Sequence, residues 1–185
     1  MKKTLLSTAL IAIAAAAAPS AFAADGKITF NGLVEDATCS VTGGPGTDGG
    51  TQDFTVTLDT VSKTALDAAG KRAGDKAFSV QVGAAGQTDC TNGKIVSLSF
   101  EPAQSPVDAA TGRLLNDAGT AQFVQIGLLN AAKQDINLND GSNNSSATIV
   151  GNTATMDYYA QYYAAAAGVT SGTVDTFVMY SVGYN

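Results

Sequence analysis

Few residues in this sequence carry side chains able to do chemistry. Cysteine occurs twice, at Cys39 and Cys90, and histidine is absent from all 185 residues. Without histidine there is no serine–histidine or cysteine–histidine dyad, no histidine-ligated metal and no imidazole switch near neutral pH. Two cysteines alone do not make a zinc centre. They pair with each other, or they stand as two buried free thiols, and an oxidising compartment favours the pair. The run containing Asp135, Asn137, Asn139, Asp140 and Gly141 has the composition of a calcium loop without its order. Glycine belongs at the sixth position and glutamate at the twelfth, where Asp140 and Ser146 stand. It reads as a solvated loop. Asn143 and Asn144 each open an N-x-[ST] sequon, which matters only in a host that glycosylates such sites. No nucleophile elbow, phosphate-binding loop or SxxK motif occurs, and no spacing singles out a pair of carboxylates. Tyr158, Tyr159, Tyr162 and Tyr163 form either a sugar-stacking platform or, the preferred reading, a strand that packs half its rings into a core. No catalytic residue, metal ligand or cofactor is assigned.

The charge balance narrows the partners. Ten Lys plus Arg oppose sixteen Asp plus Glu, a net −6. Lys2 and Lys3 precede an apolar run from Leu10 to Ala18, then Pro19 and the small-x-small tripeptide Ala21-Phe22-Ala23. This is the layout of a secretory signal peptide over residues 1–23, cleaved after Ala23. The competing reading, a membrane anchor, needs roughly 20 apolar residues and finds fewer here. Removing two lysines leaves eight basic and sixteen acidic residues, or −8. That balance argues against nucleic acid and anionic membrane surfaces as partners, since both recruit basic patches. Export supplies the oxidising environment that favours pairing of Cys39 with Cys90.

Period-two alternation organises the rest. It is visible in 26–35 (GKITFNGLVE), 53–61 (DFTVTLDTV), 77–82, 94–100, 121–129, 155–164 (TMDYYAQYYA) and 173–184. Gly, Asn, Asp and Ser separate these segments, with long polar loops at 43–50, 101–111 and 135–146. One short helical turn is expected at 62–69, capped by Ser62 and stopped by Gly70. Short strands with β-branched and aromatic filling describe an all-β sandwich in one domain. Its ends attract attention. The first segment aligns Ile28, Phe30, Gly32 and Val34 on one face. The last aligns Val174, Thr176, Val178, Tyr180, Val182 and Tyr184, and runs close to the final residue. A sandwich stopping there is expected to lack an edge, leaving backbone groups and core side chains uncovered. Gly32, a weak strand former, marks a place of close approach.

Together these residues resemble the major subunits of type 1 and P-type fimbriae, the chaperone–usher pilins. The resemblance is carried by the start ADGKITFNGLVEDATCSV, by Cys90 following the strand Phe78-Ser79-Val80-Gln81-Val82, by the YYAQYYA segment, by Gly172 and by the penultimate Tyr184. It implies an incomplete immunoglobulin-like β-sandwich, completed by a donor strand from another subunit, an instance of β-strand addition. Residues 24–36 would be the N-terminal extension and 37–185 the pilin domain. The resemblance assigns Ile28, Phe30, Gly32 and Val34 to the donor strand and Cys39 with Cys90 to a disulfide. It assigns Gly172, Val178, Tyr180, Val182 and Tyr184 to the strand that borders the groove and binds the chaperone. It further implies neighbouring pilin subunits, a periplasmic chaperone and an outer-membrane usher as partners, and a host or surface receptor reached through a separate tip adhesin. The location would be a surface fimbrium reached through the periplasm, the role adhesion or biofilm formation, and the activity non-enzymatic. A minor adaptor or tip subunit, or a secreted carbohydrate-binding sandwich, is the alternative.

Overall fold

A computed structural model describes residues 39–185. The expected signal peptide, the expected extension and the four residues expected on a donor strand, Ile28, Phe30, Gly32 and Val34, lie outside the described residues.

Two antiparallel sheets face each other. The larger has the order β1 (Val41–Gly43), β2 (Arg72–Gly83), β7 (Thr153–Ala164), β5 (Val124–Asn130) and β4 (Leu114–Leu115). The smaller has the order β6 (Ser146–Thr148), β3 (Ile95–Phe100) and β8 (Tyr180–Tyr184). The alternation is what builds the core: Val80 and Val82 from β2, Val96 and Leu98 from β3, and Met156 and Tyr158 from β7 meet between the sheets, all buried. Tyr158 stacks on Phe78 at 5.5 Å between ring centroids and takes the edge of Phe100 at 6.3 Å. The tyrosines of β7 thus divide by parity. Tyr158 and Tyr162 face the core, while Tyr159 and Tyr163 face outward beneath cations from Lys133, Arg72 and Arg113.

β5 is buried on both faces from Val124 to Leu129, although its sheet has only one sandwich side. The second cover comes from loops. On the outer face Gln125 Nε2 donates to Asp108 at 2.6 Å and the Arg113 side chain lies near Gly127, while Ile136 N–H donates to the Leu128 carbonyl at 2.9 Å along the strand's edge. Ile136 and Leu138, the two apolar residues of the polar 135–146 loop, are buried in the main core with Ile126 and Leu128. The acidic and amide groups of that loop make turns: Asn137 Oδ1 accepts from Asn139 N–H, and Asp140 Oδ1 from Ser142 N–H.

The helical turn is a short 3₁₀ segment, Lys63–Leu66, with Ser62 Oγ accepting from Thr64 N–H. Two expected strands are different in the structure. Residues 53–61 are extended but belong to neither sheet, and only Tyr180–Tyr184 of the expected 173–184 strand joins a ladder. Alternating burial survives in both, so the period correctly reported which side chains turn inward. It did not report whether a backbone partner exists.

Cys39 and Cys90 are joined in a disulfide, with Cα atoms 4.7 Å apart. Ser40 beside it donates through N–H and Oγ to Gln87 Oε1, which holds the 84–90 loop to the start of the domain.

On the outer face of the large sheet, Arg72 grips Asp135 with two bonds at 2.5 and 2.6 Å, and Arg113 adds a third at 3.3 Å. The Arg72 hydrogen bond, partly opposed by desolvation, holds the Asp135 carboxyl below its ordinary pKa. A depressed carboxylate stabilises the fold above its unfolded pKa, about 3.9, and loses that contribution as pH falls through the folded value. Burial pushes the Tyr162 and Tyr180 phenols up. Their neutral forms favour the fold until pH rises past about 10. With no histidine in the chain, the thermal unfolding temperature should be flat between about pH 5 and 9 and fall on either side. A step between about pH 6 and 8 in a calorimetric pH series would contradict this assignment.

Candidate functional site

The C-terminal strand lies at an edge. β8 pairs with β3 in the register Phe100↔Tyr180, Leu98↔Val182 and Val96↔Tyr184. Among the described residues no strand pairs with its other side. Ile95 and Asn185 exchange both backbone bonds at 2.9 Å, and Glu101 N–H donates to the Met179 carbonyl at 2.9 Å. Antiparallel ladders alternate, so odd-numbered residues bond to β3. The N–H and C=O of Tyr180 and Val182 therefore point to the open side.

The side chains give the same picture. Val96 and Leu98 are 0% and 3% exposed, whereas Val182 and Tyr184, across from them on the same sheet face, are only partly buried. Val174, Val178 and Tyr180 are likewise packed against the core but incompletely covered. Thr176, in the same row, has a buried Oγ1 without a hydrogen-bond partner among the described residues.

Residues 54–61 form the opposing lip. Phe54, Val56 and Leu58 turn inward and are partly buried, while Thr55, Thr57 and Asp59 are exposed. At one end the rings of Phe54 and Tyr180 stand 6.0 Å apart, and Tyr180 O–H donates to the Gln52 carbonyl at 2.5 Å. At the other end Val61 and Val174 pack against the same cluster of Leu66, Val124 and Ala164. The two segments thus run in opposite directions on either side of a strip of partly covered core, without bonding to each other. Gly74, at a bulge in β2 with φ +70°, makes room for the far end of this lip: a Cβ there would lie 2.8 Å from Val61 Cγ1. The strip has the length of a strand, apolar side chains along its floor and backbone donors and acceptors along one side. What fits it is an extended peptide with alternating apolar residues.

The residues expected on the groove strand are placed as follows. Val178, Tyr180 and Val182 line the strip with Tyr184 in the same row. Gly172 precedes it and is exposed. Its hydrogen is required by a close approach, since a Cβ would lie 2.5 Å from Ala121 N. The 54–61 lip was legible in the sequence as alternation, though not as one wall of a groove.

Comparison with known proteins bears on this geometry. Residues 58–185 match the family described as FimA, type-1 fimbrial protein, A. The chain belongs to that family. Among fimbrial relatives, it is 43% identical over 180 residues to the major fimbrial subunit SMF-1 of Stenotrophomonas maltophilia (strain K279a), covering 92% of this chain and 99% of the relative. It is 39% identical over 177 residues to the F17 fimbrial protein of Escherichia coli, covering 93% and 94%. Of solved structures, the P pilus rod subunit PapA superposes with a TM-score of 0.56 at 20% identity, over 80% of this chain and all of PapA. A chaperone–usher pilus subunit gives 0.54 at 21%, over 91% of this chain and all of that one. The fold of this fimbrial chain is the incomplete immunoglobulin-like sandwich of those pilins.

Proposed function

We propose that this chain is a structural subunit of a chaperone–usher surface fimbria, and that it polymerises head-to-tail by lending residues 28–34 to the groove of the next copy. The observation that carries the reading is that, among the described residues, a β8 edge without a strand partner faces a lip at 54–61 that joins no ladder. An inserted strand meets both needs at once, hydrogen bonds for the backbone and cover for the core. Ile28, Phe30 and Val34 face the floor, each contributing roughly 1.5–3 kcal/mol of burial. Slipping the register by one residue turns all of them to water. The joint is non-covalent, yet it opens slowly, because the strand leaves only when the sandwich loosens. A heterologous contact of this kind does not close on itself and generates a filament.

Kinship with a relative described as a major fimbrial subunit supports a place in the shaft. Until assembly, a periplasmic chaperone occupies the groove, and an outer-membrane usher exchanges it for the incoming strand. Binding to a host or surface receptor is left to a separate tip adhesin.

The test uses Val182→Ser with Tyr184→Ala. Removing apolar floor on the groove strand should lower the amount of chain that co-purifies with the chaperone from the periplasm, by about tenfold for each 1.4 kcal/mol lost. Unchanged co-purification overturns the groove assignment. Surface filaments sheared from wild-type cells should dissociate to a single dominant polypeptide of the mature mass. Filaments lacking this chain overturn the shaft assignment.

A further inference from the structure

Two apolar features lie at opposite ends of β7. At its start is the turn after β6, where Val150 is 72% exposed beside the disulfide. Asn152 Nδ2 there donates to the Cys90 carbonyl, and Asn152 N–H to Asn92. Past its end lies a recess of about 430 Å³ bounded by Leu115, Ala121, Phe123, Val124 and Ala165. Phe123 and Leu115 are 52% and 42% exposed. Phe123 also holds φ +61°, a left-handed conformation costly for a bulky residue and kept only where the surroundings impose it. Twelve residues of β7 separate the two features, roughly 35–40 Å along a strand. One molecule cannot bring them together; two copies can.

The strand exchange proposed above fixes which copies. The recess adjoins the upstream end of the groove strand: Ala121 N–H and Asn116 Nδ2 donate to the Thr173 carbonyl at 3.0 and 3.1 Å. The downstream end, at Asn185, bonds to Ile95, near the disulfide turn through the Ile149–Lys94 and Gly93–Ile149 bonds. Every strand pair described in this domain is antiparallel. A donor strand antiparallel to β8 brings Val34 to the recess end of its acceptor. Only Glu35, Asp36, Ala37 and Thr38 then separate it from Cys39, a span of at most about 18 Å. The disulfide end of the donating copy must therefore sit against the recess end of the accepting one.

We propose that the recess around Phe123 and Leu115 seats the Val150–Asn152 turn of the neighbouring copy that donates its strand, a second contact beside the groove that fixes how successive subunits are angled. The inference rests on the donor-strand reading. An apolar knob meets an apolar recess, and the cost of holding Phe123 outward is repaid only in the filament.

The test places a photo-crosslinking benzoylphenylalanine at position 150 of the full-length chain, with a second probe at position 30 in a separate variant, in filaments sheared from cells. The first should give dimer-mass adducts mapping to 115–125 or Ala165, and the second adducts mapping to 54–61 or 174–184. Adducts from position 150 to any other segment, or none at dimer mass, overturn the inference. If position 30 behaves as expected and position 150 does not, the inference falls alone. If position 150 behaves and position 30 does not, the strand exchange falls and the inference, which names the donating copy, falls with it. Phe123→Gly supplies a readout independent of the probe. Glycine relieves the left-handed conformation, so subunit unfolding temperature should not drop, while filaments dissociate roughly tenfold faster on losing an aromatic anchor. Wild-type dissociation rates in that variant overturn the contact.

Discussion

Deleting residues 24–34 should abolish filaments while leaving a subunit that the chaperone still captures. The deletion takes away Ile28, Phe30 and Val34 but keeps Cys39, both sheets and both lips of the groove. The acceptor half of the joint is intact and the donor half is gone. Each lost side chain removes roughly 1.5–3 kcal/mol of burial, and the backbone of β8 and the 54–61 lip loses its complement. The expected result is all-or-none: no filaments by electron microscopy, with a periplasmic chaperone complex at near wild-type yield. Placing Asp at both Ile28 and Phe30 should give the same outcome without shortening the chain, because a charge buried without a partner is worse than an absent side chain. Wild-type-length filaments from either variant would refute the donor role.

The second large effect concerns the disulfide. Cys39 and Cys90 are 51 residues apart in sequence, and closing a loop of that size stabilises a fold by about 4 kcal/mol in the chain-entropy account. Whole domains are stable by only about 5–15 kcal/mol, and this sandwich leaves one flank of its core partly exposed. Cys39→Ser with Cys90→Ser should therefore lower the unfolding temperature by roughly 8–16 °C and deplete the chaperone-bound pool. The bond also fixes the start of the domain, where Ser40 next to it bonds to Gln87. Alkylation under non-reducing conditions should find no free thiol in wild-type filaments. A double variant that unfolds within about 2 °C of wild type would remove the disulfide from the stability argument.

The sequence was most informative where side-chain parity alone decided the outcome. The inward row Val174, Thr176, Val178, Tyr180, Val182 and Tyr184 is the row that faces the core, because a strand has only two faces. The division of the four tyrosines follows from the same parity. Alternation says nothing of where backbone hydrogen bonds go. Residues 53–61 and 173–179 read like ordinary strands and are instead extended segments outside the ladders. β1, β4 and β6, two or three residues long, are too short to carry a period. Burial of Ile136 and Leu138 was hidden for a different reason. Each stands alone among Asn and Asp, and only the run of this loop alongside β5, with Ile136 N–H on the Leu128 carbonyl, brings them into the main core. Gly172 was visible as a spacing, while its physical cause, the approach of the Thr120–Ala121 backbone, required the fold. The outward Phe123 left no trace in the sequence, since a positive φ in a phenylalanine has no compositional mark.

A reconstruction of the filament by electron cryo-microscopy, at a resolution that traces side chains, tests the central claim most directly. The map should show a strand with the register of Ile28, Phe30, Gly32 and Val34 lying between 54–61 and 174–184 of one copy and continuing into Cys39 of a different copy. A strand that continues into Cys39 of the same copy, or a groove left unfilled along the shaft, would contradict it.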